Sequence, residues 1–291
     1  NLGELEKKYL VECIDSTFVS SVGENIDIFE NKFAQYLKAK RAVSTQSGTA
    51  ALHLALYELG IGPGDEVIVP VITFVATVNP IKYVGATPVF VDVDPETWNI
   101  DPKEIENHIT EKTKAIIPVH LYGNPCDMDK IMEISKKYNI PVIEDATESL
   151  GATYKGQFTG TFGELNAFSF NGNKIITTGG GGMIVTNDNK KADHLKFLVN
   201  QARDSSKGYY HPEIGFNYRM TNLEASLGLA QFERLPEFLS KKRKFAEIYK
   251  EGFKNNDKII FQKSYVGAES SYWLPSIKIE SNKSIPEIQN E

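Results

Sequence analysis

Three places along the chain put chemically useful residues at the ends of strand-like runs. Ser47-Gly48-Thr49 stands where the run 41–45 passes into the helical pattern 49–59. A helix N-terminus offers unpaired N–H groups and a positive dipole end, and Ser and Thr add hydroxyl donors, so an anion such as phosphate is favoured there. An N-cap without a ligand uses the same residue types. Asp145 follows Pro141-Val142-Ile143-Glu144, at the edge where open α/β sheets bind ligands, and a carboxylate there can pair with a protonated ring nitrogen. A capping Asp that opens the next loop is the plain alternative. Lys174 lies five residues after Ser169, in a loop that leaves a buried run, beside Ile175 and Ile176. Partial desolvation lowers a lysine's pKa and favours the free amine that condenses with a carbonyl; a surface lysine is the ordinary reading. Thr147, Glu148 and Ser149 bring further polar groups to the strand end at Asp145.

The elements that must position these residues follow from periodicity. Ile26, Phe29, Phe33 and Leu37 share one face of a helix over 24–37. Strand-like runs at 41–45, 66–70, 87–93, 115–120 and 140–144 then alternate with helical stretches at 49–59, 75–84 and 127–138. Such alternation predicts an α/β fold, a mostly parallel sheet flanked by helices on both faces. Two more strands, 166–170 and 182–186, are joined by the Asn-, Thr- and Gly-rich loop that carries Lys174. The glycines from 179 to 182 lead into a strand, so they read as a turn, and GxGxxG is absent after the first strand, which argues against a dinucleotide-binding unit. Helical patterns over 221–235 and 236–253 precede a strand-like run at 273–279.

Composition narrows the function. A net charge of -6 over 291 residues leaves no basic footprint for nucleic acid, and Lys241-Lys242-Arg243-Lys244 falls in a helical pattern as a solvated face. Two cysteines, Cys13 and Cys126, suggest neither a disulfide framework nor a zinc site. The apolar stretch 67–78 is interrupted by Pro70, Thr73 and Thr77 and is too short to span a bilayer. With no signal peptide recognised before the first helix, a cytoplasmic protein without membrane or nucleic-acid partners is expected.

Four ordered motifs carry a resemblance. Ser47-Gly48-Thr49-Ala50-Ala51-Leu52, Glu144-Asp145-Ala146, Ser169-Phe170-Asn171-Gly172-Asn173-Lys174 with the following 177–183, and Gly215-Phe216-Asn217-Tyr218-Arg219-Met220-Thr221-Asn222 resemble the DegT/DnrJ/EryC1/StrS aminotransferase family. The resemblance runs from the first residues to about Ile279. It implies the aspartate aminotransferase fold (pyridoxal-phosphate-dependent transferase fold type I), a homodimer with active sites at the subunit interface, and pyridoxal 5'-phosphate as cofactor. Lys174 would hold the cofactor as a Schiff base and carry the proton between the two reacting carbons, and Asp145 would pair with the pyridine nitrogen. Gly48, Thr49 and Ser169 would hold the phosphate, Phe74 would stack on the ring, and Glu148 would lie near its phenolic oxygen. Asn217 is expected to reach the phosphate of the neighbouring subunit, with Arg219 close to the same interface.

The family relation also implies glutamate as amino donor and a nucleotide-linked keto-sugar as acceptor. Sugar dehydratases of the family carry histidine where Lys174 stands, so dehydration is disfavoured. Residues 169–183 and 17–21 look most like enzymes that aminate C4 of UDP-linked 4-keto-6-deoxy-N-acetylhexosamine, on routes to legionaminic acid or bacillosamine. Enzymes forming GDP-perosamine are a near rival, because Tyr210-His211-Pro212 suits them too. A large cofactor-binding domain is expected over 1–240 and a truncated small C-terminal α/β domain over 241–291, since family members continue for about one more small-domain layer. A protein that binds the cofactor without catalysis, as a regulator or remnant, is the rival from another class. The presence of every matched cofactor residue argues against it.

Overall fold

A computed structural model describes residues 2–281 and 283–289. Helices α1 (Glu4–Asp15) and α2 (Glu24–Leu37) precede β1 (Arg41–Thr45), α3 (Gly48–Glu58), β2 (Glu66–Pro70), α4 (Val75–Tyr83) and β3 (Thr87–Val91). Next come α5 (Pro102–Asn107), β4 (Thr113–Ile116), α6 (Met128–Tyr138), β5 (Ile143–Asp145) and a small hairpin of β6 (Thr153–Tyr154) and β7 (Gln157–Phe158). Strands β8 (Leu165–Ser169) and β9 (Gly182–Thr186) flank the lysine loop, and α7 (Asn189–Val199), α8 (Asn222–Glu233) and α9 (Leu235–Phe253) follow. The chain continues through β10 (Ile259–Phe261), β11 (Ala268–Glu269), β12 (Ile277–Ile279) and α10 (Ile285–Gln289).

One strand series organises the molecule. β1-β9-β8-β5 and β3-β2-β4 are laddered sheets, and parallel bridges Ile116↔Val142 and Val119↔Asp145 join them at β4 and β5. The β8–β5, β2–β4 and β2–β3 pairs are parallel, whereas β9 runs antiparallel to both β1 and β8. Strands covered on both faces read as unbroken apolar runs, as in Val67-Ile68-Val69, all fully buried. On one face α3 is buried nearly all round through Ala51, Leu52, Leu54, Ala55 and Leu56. On the other, α2 and α8 meet the sheet through an aromatic cluster in which Phe33 packs edge-on against Phe168, with ring centroids 5.1 Å apart.

Several elements depart from the expected bounds for identifiable reasons. The run 115–120 is a continuous strand only to Ile116, beyond which Val119 adds an isolated bridge, and β5 begins only at Ile143; Pro118 and Pro141 supply no N–H to a ladder. The run 273–279 is a strand only over Ile277–Ile279. Residues 241–244 are not uniformly solvated: Lys242 Nζ donates to the Trp273 carbonyl at 2.9 Å and Arg243 Nη2 to the Gly151 carbonyl at 3.3 Å. α9 runs unbroken through residues 240 and 241. Among the described residues no helix is long and apolar enough to cross a membrane, and no group of three or more His, Cys, Asp and Glu could hold a metal ion.

Candidate active site

At the carboxyl ends of the strands a cleft of about 310 Å³ opens between α3, α4, the end of β5 and the loop from β8 to β9. Its first wall is the start of α3. Ser47 caps the helix, its Oγ accepting from the Ala50 N–H at 3.0 Å, while the N–H groups of Gly48 and Thr49 open the first turn and have no intrahelical partner. Gly48 is pressed against the end of β8: an added Cβ would come within 2.8 Å of Ser169 Cβ and 3.1 Å of Thr147 Cγ2. Ser169 therefore shares the wall with Gly48 and Thr49, which gathers hydroxyls and N–H donors in one place. Gly182, at the start of β9, runs so close to the Ser47–Gly48 peptide that a Cβ there would lie 2.5 Å from the Ser47 carbonyl carbon.

Asp145 forms the floor and is buried. Its peptide is fixed by its N–H on the Pro118 carbonyl at 2.9 Å and by the His120 N–H on its own carbonyl at 3.2 Å. The carboxylate accepts from Thr77 Oγ1 at 2.7 Å and from the Thr147 N–H at 3.1 Å. Beneath it, the buried Glu144 accepts from His120 Nε2 at 2.9 Å and from the N–H groups of Gly160 and Gly163, both at 2.8 Å. The Cys126 N–H occupies His120 Nδ1 at 3.1 Å, which assigns the ring hydrogen to Nε2.

Lys174 enters from the loop between β8 and β9. The loop is tied to itself by the Lys174 N–H on the Asn171 carbonyl and the Thr178 N–H on the Phe170 carbonyl, both at 2.9 Å. Gly179 and Gly181 turn it back into β9 at φ +86° and +100°, values that favour glycine. The lysine side chain is only 12% exposed, and its Nζ lies 3.8 Å from Glu148 Oε1. Burial lowers the Lys174 pKa, and the nearby charges of Glu148 and Asp145 oppose that shift without cancelling it. Burial likewise raises Glu148 to about 7, against the pull of Lys174 and of the Tyr122 N–H that it accepts at 2.7 Å.

Of the residues expected from sequence, Gly48, Thr49, Phe74, Asp145, Glu148, Ser169 and Lys174 line this one cleft. Phe74 caps α4 with its ring 68% exposed at the lip, open to stack on whatever fills the cleft. Asn217 is exposed and is absent from the lining of its own chain's cleft, and the Arg219 Nε is buried without a partner among the described residues. The sequence reading passed over Thr77, His120 and Trp273. Thr77 signalled only an interrupted apolar run, and His120 gave no motif. The donors at one end, the buried carboxylate on the floor and the partly desolvated amine at the side suit a molecule with a phosphate, a basic ring nitrogen and an aldehyde, and pyridoxal 5'-phosphate has all three.

The model of the DegT/DnrJ/EryC1/StrS aminotransferase family matches residues 1–290. A GDP-perosamine synthase of Escherichia coli O157:H7 is 50% identical over 285 residues, covering 98% of this chain and 78% of that protein. A GDP-perosamine synthase of Caulobacter vibrioides is 52% identical over 246 residues, covering 84% of this chain and 66% of that protein. Among solved structures, the putative sugar aminotransferase Spr1654 from Streptococcus pneumoniae in its PLP form superposes with a TM-score of 0.92 at 32% identity, over 100% of this chain and 79% of that one. These relatives favour the GDP-linked alternative over the UDP-linked substrate expected from residues 169–183. By the family match, the relatives and the fold type I architecture they share, the chain belongs to the DegT/DnrJ/EryC1/StrS family of sugar aminotransferases, whose cofactor is pyridoxal phosphate.

Proposed function

We propose that the protein transfers an amino group from glutamate to C4 of GDP-linked 4-keto-6-deoxymannose, giving GDP-perosamine. The observation that carries the aminotransferase reading is the convergence of the partly desolvated Lys174 amine and the Thr77-held Asp145 carboxylate on one cleft that begins at a helix N-terminus. The choice of GDP rests on the identity with GDP-perosamine synthases.

Each residue then has a defined task. Gly48 and Thr49 N–H groups, with the Thr49 and Ser169 hydroxyls, hold the phosphate, where the helix dipole favours negative charge. Asp145 holds a proton on the pyridine nitrogen, and its two hydrogen-bond donors keep the carboxylate aimed. When bound, pyridoxal phosphate supplies the electron sink that takes up the electron pair of the broken C–H bond. Lys174 would hold the cofactor through its amine and, as a free amine, would move the proton from one reacting carbon to the other, a role that its lowered pKa suits. Phe74 and Glu148 line the same cleft, where Phe74 would cover one face of the ring and Glu148 would serve its phenolic oxygen. Asn217 and Arg219 serve the neighbouring subunit's site in a homodimer; the unpartnered Arg219 Nε is consistent with a partner outside its own chain. The residues up to 240 are assigned to the cofactor-binding domain and those after it to a smaller one, with α9 passing from one to the other.

A panel of keto-substrates with glutamate as donor, followed by mass spectrometry of the product, tests the reading. A nucleotide brings binding energy remote from the reacting carbon, so an unlinked keto-sugar should lose kcat/KM heavily. GDP-4-keto-6-deoxymannose is expected to lead UDP-4-keto-6-deoxy-N-acetylhexosamine, with any unlinked sugar last. A preference for the UDP sugar would move the assignment to that substrate. Equal rates with linked and unlinked sugars would refute the nucleotide-sugar class.

A further inference from the structure

Residues 270–274 return to the cleft after α9 and are fastened there. The Ser271 N–H and Ser270 Oγ both donate to the Gly123 carbonyl, at 3.0 and 2.9 Å. The Leu274 N–H reaches the Tyr122 carbonyl at 3.4 Å, and Lys242 holds the Trp273 carbonyl. Between these ties Tyr272 has φ +50°, and Tyr122 across from it has φ +57°. Bulky residues take up that conformation where the surroundings impose it, and such positions cluster at functional sites. The turn sends the Trp273 indole, 6% exposed, onto the lysine: Lys174 Nζ sits 4.0 Å from the ring centroid, while the indole Nε1 donates to the carbonyl of Asn173 at 2.7 Å.

Resting on the cofactor reading above, we propose that Trp273 is a positioning residue for the Lys174 amine: it anchors the loop through the residue before the lysine and offers its ring face as a seat for the amine when that amine is not bonded to the cofactor. Amino-group transfer requires the lysine to leave the cofactor and yet remain within reach as a proton carrier. A flexible four-carbon stem does not ensure this by itself. The indole quadrupole attracts the amine in the protonated form that it takes each time it carries the proton, its face packs against the lysine stem in either form, and the hydrogen bond to Asn173 keeps the ring from sliding off. Phosphate seat and ring-nitrogen partner lie outside these links, so cofactor affinity and lysine positioning are separable.

The test is the rate at which cofactor-free protein attaches pyridoxal phosphate, followed by its visible absorbance and by borohydride trapping with peptide mapping. In that step the lysine nitrogen forms a double bond to the aldehyde carbon, the C=O bond breaks and the oxygen leaves as water. Trp273→Phe keeps a ring face and loses the Asn173 anchor; Trp273→Leu loses both. Attachment is expected to slow about fivefold in the first and about thirtyfold in the second. Non-covalent affinity, measured in a Lys174→Ala background with and without Trp273→Leu, is expected to agree within about twofold, because the phosphate seat is untouched. Equal attachment rates in all three proteins would overturn the proposal. So would a parallel loss of affinity and thermal stability that leaves Phe and Leu indistinguishable, since that is what a merely structural tryptophan gives. Absence of label on Lys174 in the unsubstituted protein overturns the cofactor reading itself, and the proposal with it.

Discussion

Thr77 and Asp145 come from elements 68 residues apart, yet their side chains meet at 2.7 Å in the buried floor of the cleft. Thr77 is held in turn by the hydroxyl of Thr73, also at 2.7 Å, so the start of α4 aims the carboxylate at the end of β5. Thr77→Val keeps the shape and removes the donor. A net hydrogen bond to a charged group is worth about 1.5 kcal/mol, so kcat should fall roughly tenfold. Asp145→Ala, which removes the group proposed to hold the ring-nitrogen proton, should cost well over tenfold. Steady-state kinetics of both variants checks the order, and an unchanged kcat in Thr77→Val would show that the aim of Asp145 is set elsewhere.

Lys174→Ala has no amine to condense with the cofactor. The purified variant is expected to lack covalently attached pyridoxal phosphate, whereas borohydride treatment of the unsubstituted protein should label the peptide that contains Lys174. Label on any other lysine would sink the assignment.

Glu148 yields a pH prediction. In the unfolded chain its carboxyl has the ordinary value of 4.5, while the fold raises it to about 7. Between those values the unfolded state gives up its proton and the folded state keeps it, so the contribution of Glu148 to stability, present in full below 4.5, is lost as pH rises through 7. Glu148→Gln does not titrate. In cofactor-free protein the variant should gain on the unsubstituted protein between pH 4.5 and 7, by on the order of 3 kcal/mol, and level off above. Denaturant titrations at pH 4.5, 6 and 8 measure this, and a stability difference independent of pH would mean that Glu148 titrates normally.

Shared sites can be tested by mixing two damaged proteins. Asn217→Ala should be impaired and Lys174→Ala inactive. If Asn217 serves its neighbour, a mixed dimer contains one site with an intact Lys174 and an intact Asn217, and random reassociation should restore about a quarter of full activity. If Asn217 acts within its own subunit, mixing restores nothing.

The sequence was most legible where one physical signal dominates. Helix α2 and strands β1, β2 and β9 have the bounds read from periodicity and turn residues. Residues such as Asp145 and Lys174 stood out because an ionisable group at a strand end is unusual, Gly48 and Thr49 because they open a helix after a strand, and the family motifs carried Ser169. Trp273 was hidden for the opposite reason. Its neighbours look like a strand, and only the left-handed backbone at Tyr272 takes the indole out of that alternation. A tertiary contact imposes that angle, and local propensity does not report it. Thr77 and His120 are similar cases: their partners lie on distant elements, so their importance appears only when α4, β5 and the segment after β4 are assembled.

Strand β9 has a further consequence for how the protein is made. β1 is the first strand of the series to leave the ribosome, but among the described residues its one ladder partner, β9, lies beyond every other strand of the series. Until Thr186 has emerged, Arg41–Thr45 cannot complete its register with β9, which pairs Arg41 with Thr186 and Thr45 with Gly182. The nascent chain therefore completes this end of the sheet in one late event, and a ribosome stalled short of β9 would display Arg41–Thr45 with its backbone N–H and C=O groups unpaired.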